Sequence, residues 1–243
     1  MKILHVALGL TLGLGLPAVS AAQAPGSAAG LALRASTLGG GIEVATTLMP
    51  NLNLRLGANG ASYSYDTDYS GNDYEFDLSL QSFSALADYH LVGGGFRLSG
   101  GLMLNGNGLD IVGRPGSSAD ILTFSIGDQV YDATTEVQAF TGEIEFPSLA
   151  PYAGIGWGNM IGDDKKWGLM LDIGFVLQGS PTVTMGTVDT LDDTTPIPGD
   201  AQGRTAKQIL LDNVKTEEAE LEDDISTFDL YPLISIGVSY RFL

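Results

Sequence analysis

The chain has no cysteine. An exported fold stapled by disulfides is therefore excluded, and thiol catalysis and cysteine-held metal sites go with it. Basic residues are scarce: 11 Lys and Arg stand against 29 Asp and Glu, for a formal charge of −18. A surface of that sign repels nucleic acid and attracts cations. Histidine is nearly absent, with His5 and His90 the two in the sequence. A serine hydrolase needs a histidine base beside its nucleophile. No serine here has an evident histidine partner, so no enzyme activity is expected. Long apolar runs are also lacking. Beyond the N-terminus no uncharged segment approaches the ~20 apolar residues of a membrane helix.

The N-terminus carries Lys2, an apolar run from Ile3 to Leu16, then Pro17 and small residues to Ala22. This pattern is a secretory signal peptide. Ser20 and Ala22 place the cut after Ala22; a cut after Ala24 would leave Pro25 first. Residues 1–22 are thus expected to be the signal, and 23–243 a single outer-membrane β-barrel domain.

The barrel expectation rests on alternation. From Leu233 to Phe242, Ile234, Ile236, Val238, Tyr240 and Phe242 share one parity, and Ser235, Gly237, Ser239 and Arg241 the other. Strands send alternate side chains to opposite faces. Large apolar residues against small polar ones match a transmembrane β-barrel, apolar toward lipid and polar toward the lumen. Tyr240 and Phe242 belong at the membrane interface. With Gly237 they also resemble the C-terminal signal read by the bacterial barrel-assembly machinery, with Leu243 one residue past it.

The same alternation divides the chain into eight strands with short and long connections in turn. The first hairpin is Leu31 to Ser36 and Gly41 to Leu48, around Thr37–Gly40; Leu31 to Leu48 as one strand is the alternative. An even count, which keeps both chain ends in the periplasm, favours two. Leu52 to Tyr65, Tyr74 to Tyr89 and Phe96 to Ile111 follow. The fourth strand changes phase near Ser82, which predicts a bulge. Gly113 to Ala139 is a polar loop with a hairpin of its own (Ile121 to Ile126, Gln129 to Ala133). Phe140 to Asn159 and Trp167 to Thr187 come next, then a long loop to Phe228. In it Leu210, Val214, Leu221 and Ile225 recur at helical spacing, predicting a helix over about Arg204 to Asp224. The helix either caps the barrel mouth or lies in a mobile solvated loop. The expected fold class is all-β: an eight-stranded antiparallel transmembrane barrel with a helical segment in the last long loop.

Several stretches resemble a family of small outer-membrane barrels that includes the carbapenem-susceptibility-associated outer-membrane protein of Acinetobacter. They are Leu38-Gly39-Gly40-Gly41, Leu56-Gly57-Ala58-Asn59-Gly60, Gly142-Glu143-Ile144-Glu145-Phe146, Ala150 to Gly156, Trp167-Gly168, Gly179-Ser180-Pro181 and the last strand. The resemblance implies an eight-stranded barrel with a helix before its last strand. It also implies a link to uptake of small, often basic, amino acids.

Six charged residues have inward parity near the periplasmic half: Glu43, Asp88 and Asp172 against Arg55, Arg97 and Arg241. The interior of an eight-stranded barrel is just wide enough for side chains to fill. Unpaired charge there is costly, so pairing is expected. Balanced signs point to an ion-pair network that closes the lumen; the other reading is a charged constriction that selects solutes. Asp66-x-Asp68-x-Ser70-Gly71 with Asp77 imitates a calcium loop. It joins strands rather than helices, so an acidic hairpin is the simpler reading, and no metal or cofactor is expected. The run Glu217, Glu218, Glu220, Glu222, Asp223 and Asp224 reads as a solvated face, or as a lure for cations. The expected function is passage of small solutes, basic amino acids or other cations among them. The alternative is a closed structural or surface-interaction barrel. Expected partners are outer-membrane lipid and lipopolysaccharide.

Overall fold

The computed structural model describes residues 28–69, 72–91, 94–116, 123–127, 129–133, 135–162 and 166–243. The expected signal peptide lies outside them. Eight strands close a ring: β1 (Ala29–Ser36), β2 (Gly39–Met49), β3 (Leu52–Tyr69), β4 (Asn72–His90), β5 (Phe96–Asn105), β10 (Leu149–Trp157), β11 (Trp167–Leu177) and β13 (Leu230–Arg241). Neighbours are antiparallel. The first strand closes on the last, from Gly30↔Arg241 to Ser36↔Ser235. The first hairpin is therefore two strands. Asn51 turns the chain at φ 65°, a left-handed conformation that asparagine tolerates better than most residues. A closed ring leaves no edge, as lipid requires of any sheet that spans it.

Outside the ring, β6 (Gly108–Pro115), β9 (Val137–Glu145) and β12 (Thr182–Asp189) continue the wall beyond the barrel. They pair in the order β3-β4-β6-β9-β12. The strands expected at Phe96 to Ile111, Phe140 to Asn159 and Trp167 to Thr187 are each broken in two. The breaks fall at Gly106-Asn107, at Pro147 and at Gly179-Ser180-Pro181. Proline lacks the N–H that a central ladder needs, and Gly179 sits at φ 74°. The expected bulge near Ser82 is absent. One register holds from Leu52↔Tyr89 to Tyr69↔Asn72. Phe76, Leu78 and Leu80 thus share the lumen-side parity of Ser82, Leu86 and Asp88. They continue the lumen-side face beyond the ring, where Phe76 and Leu80 are half-buried and Leu78 is exposed. The expected loop Asp66 to Asp73 is mostly strand, with Ser70 and Gly71 outside the described residues.

That outer unit is built from the hairpin β7 (Thr123–Ile126) and β8 (Gln129–Asp132) and the helix α1 (Ala206–Ile225). Ile121, placed in the hairpin from sequence, is outside the described residues. Thr205 caps the helix, accepting from the Gln208 amide at 3.2 Å while the Gln208 side chain accepts from the Thr205 amide at 3.0 Å. Leu210 and Val214 are buried with Phe124, Ile126, Tyr131 and Val137, an apolar core beyond the barrel. The helix is thus packed rather than a solvated loop, and its buried contacts are to the hairpin and β12.

The ring's outer surface is apolar: Leu33, Leu102, Leu169, Ile173, Phe175 and Ile236 are all exposed, Leu169 by 74%. No water-soluble surface carries such a belt. At its periplasmic rim Trp157 pairs with Phe96 (ring centroids 5.1 Å apart) and Trp167 with Tyr240 (4.9 Å). An apolar belt edged by aromatic rings on a closed antiparallel ring makes this an outer-membrane β-barrel.

Candidate functional site: the charged layer in the lumen

Inward positions fill the lumen in three layers. The outer layer is apolar: Leu38 from the first hairpin packs with Leu86, Met103, Ala150, Tyr152 and Val176. The periplasmic layer is also apolar, with Met160 and Ile161 folded in from the β10–β11 turn against Ala32, Ala45 and Met170. Between them lies a charged layer.

Three arginines and three carboxylates compose it. Arg55 of β3 donates from Nε and Nη2 to both oxygens of Asp88, at 2.8 and 3.0 Å. Its Nη1 reaches Glu43 Oε1 at 3.1 Å. Arg34 of β1 donates to Glu43 Oε2 at 2.7 Å, and to Asp172 and Ser235. Arg97 of β5 donates to Asp172 Oδ1 at 2.6 Å and to the Gly158 carbonyl. Ser99 Oγ donates to Asp88 Oδ1 at 2.6 Å. All six charged side chains are buried, with Arg97 showing no accessible surface. Formal charges cancel, and the Arg55 fork takes both oxygens of Asp88 at once. Close approach needs small neighbours. A Cβ at Gly156 would stand 2.6 Å from Asp172 Oδ1, and one at Gly237 would stand 2.9 Å from Arg34 Cγ. Beside the layer a cavity of about 20 Å³ touches Arg34, Glu43, Arg55 and Asp172, room for roughly one water.

The structure brings together five of the six residues expected here: Glu43, Arg55, Asp88, Arg97 and Asp172. Arg241 is the correction. It is half-buried at the periplasmic end of β13, across from Gly30, and makes no ion pair with the described residues. Arg34 occupies the third basic position. Parity puts both arginines inside; height separates them. Barrel strands tilt and stagger, so equal parity does not mean equal depth. The signal for Arg34 was its alternation with Leu31 and Leu33.

Other candidates resolve differently. Asp66, Asp68 and Asp73 flank the tip of the β3–β4 hairpin, and Asp77 accepts from Ser64. Among the described residues no cluster of three or more such groups is arranged to hold a metal. His90 is buried, and its ring nitrogens meet no hydrogen-bond partner among the described residues; it forms no pair with a serine. Of the acidic run on α1, three members bond to backbone amides: Glu217 to Gly127 (3.0 Å), Glu218 to Met185 (2.6 Å) and Glu222 to Val183 (2.9 Å). Sequence marked these carboxylates as solvated, because nothing local shows that a strand edge lies beneath them.

No protein-family model matches the chain, and no curated protein matches it. Solved structures do. CarO2 of Acinetobacter baumannii is 19% identical with a TM-score of 0.51, covering 88% of this chain and 98% of that one. CarO of Acinetobacter baumannii is 20% identical with a TM-score of 0.51, covering 88% of this chain and 97% of that one. The fold is CarO-like.

Proposed function

We propose that this protein is a closed outer-membrane barrel that anchors the outer sheet and helix at the cell surface. The observation that carries this reading is the lumen, filled by two apolar layers with a formally neutral, ion-paired charged layer between them. Lipid surrounds its belt, lipopolysaccharide meets its upper rim, and the last strand with Tyr240 and Phe242 presents the signal for barrel assembly. The two readings from sequence separate here. Passage of small solutes, basic amino acids or other cations among them, keeps one observation in its favour: the cavity of about 20 Å³ touches the charged layer. Passage would require Arg34, Arg55 and Arg97 to release their carboxylates together.

Single-channel recording in a planar bilayer, with insertion verified, tests this. The closed barrel is silent. Discrete cation-selective steps from the wild type would replace this reading with the second.

A further inference from the structure

The outer sheet has two edges, and the chain treats them differently. On β12 the outward amides of Val183 and Met185 are taken by Glu222 and Glu218 of the helix. On β3 nothing comparable occurs among the described residues. The ladder to β2 ends at Gly60↔Gly40, while the ladder to β4 runs on to Tyr69↔Asn72. Among the described residues, β3 above Gly60 has a neighbour on one side only.

Backbone phase tells which groups are bare. The His90 amide donates to the Asn51 carbonyl, so odd-numbered residues of β3 bond to β4 and even-numbered ones face β2. Beyond the end of β2, Ser62, Ser64, Asp66 and Asp68 turn their N–H and C=O groups to a side where no described strand lies. An unpaired, extended edge is a template for another strand.

The flanking side chains define that strand. Tyr63, Tyr65 and Tyr69 are exposed on one face, in line with Phe76 and Leu78 of β4. The other face is acidic. Asp66 and Asp68 lie beside Glu75 and Asp73, and Asp77 lies opposite Asp110. An added strand would need basic residues on one face and aromatic or aliphatic ones on the other. A second copy of this chain fits poorly, because it brings Asp66 and Asp68 against their own kind and like charges across a ladder destabilise it.

We propose that the β3 edge from Ser62 to Asp68 receives an extended segment of a partner protein as an added strand. That segment is basic at alternate positions and aromatic or aliphatic between them. The proposal rests on the reading of the barrel as an anchor for the outer sheet. Conductance tests the lumen and peptide binding tests the edge, so the two fail separately.

The test uses the full chain in lipid nanodiscs. The probe is a fluorescent peptide about nine residues long that alternates Lys with Val and Tyr. Its control is the same peptide N-methylated at every backbone amide, which keeps side chains and charge but cannot form a ladder. The expected result is saturable binding of the first peptide, at least about tenfold tighter than the second, since each ladder bond adds about 1 kcal/mol. Ser64→Pro removes an N–H that faces the bare side and none that β4 uses. It should weaken binding about tenfold while the barrel keeps its heat-modifiable gel mobility. Equal binding of both peptides would mean plain charge attraction and overturn strand addition, as would no binding to the wild type. Self-association of the wild type that Ser64→Pro abolishes would give the edge to a second copy, and would overturn the basic partner.

Discussion

Arg97 bonds to strands other than its own, reaching Asp172 on β11 and the Gly158 carbonyl after β10. Removing it leaves buried carboxylate uncompensated. Arg97→Ala is expected to cost about 3–5 kcal/mol, the usual range for breaking a buried pair from one side. Urea unfolding followed by gel mobility measures it; a loss below about 1 kcal/mol would show that the layer is not cooperative. Arg97→Lys keeps the charge without the fork and should fall between the two. At the opposite extreme of exposure, Asp192 accepts from the amide and hydroxyl of Thr194 at 2.8 and 2.6 Å. Those bonds hold its carboxyl at about 2, below the ordinary 3.8. With the folded value depressed, the turn's contribution is complete above the ordinary value and is lost as pH falls through about 2. A carboxyl NMR titration should give that midpoint, and a midpoint near 3.8 would contradict the turn. At this scale sequence was informative about side and weak about depth. Alternation placed Glu43, Arg55, Asp88, Arg97 and Asp172 inside; Arg34 has the same parity but was not among the six expected. Only the stagger of neighbouring strands reveals that Arg34, and not Arg241, reaches the carboxylates.

The helix α1 owes its place to two kinds of contact. Leu210 and Val214 enter the outer core, and Glu218 and Glu222 cover the amides of Met185 and Val183. Leu210→Ala is expected to cost about 2–5 kcal/mol within the outer unit. The barrel should keep its heat-modifiable mobility, because the outer core and the lumen layers share no buried residue. Simultaneous loss of both would show the two to be one cooperative body. Glu218→Ala should leave the Met185 amide open, raising its hydrogen exchange by roughly tenfold or more, in line with the ~1–3 kcal/mol of an orphaned donor. The helix itself was readable from the spacing of Leu210, Val214, Leu221 and Ile225. Its partners were not, since hydrophobic periodicity carries no address. Strand breaks were readable only in part. Pro147 and Pro181 are local signals, whereas Gly106-Asn107 interrupts an alternation that otherwise continues in register with β4.

For the molecule as a whole, alternation and the rhythm of short and long connections were enough to give an antiparallel ring of eight. The apolar-out pattern has one cause, lipid, acting along every strand. What they did not give is the wall above the membrane, where the same alternation serves a different purpose. Phe76, Leu78 and Ile111 turn inward and Glu75, Asp77 and Asp110 outward, the reverse of the order below. The bulge expected near Ser82 came from reading both halves as facing the same solvent. A continuous β4 that changes surroundings midway explains the pattern with no irregularity at all.

The filled lumen also bears on how many copies a membrane can carry. An open pore links abundance to leakage, since every added copy admits more of whatever is outside. In the closed reading proposed above, Leu38, Tyr152 and Val176 above the charges, and Met160 and Ile161 below them, interrupt the water column. In that reading the envelope displays this outer surface densely while its permeability to small solutes is set by other proteins.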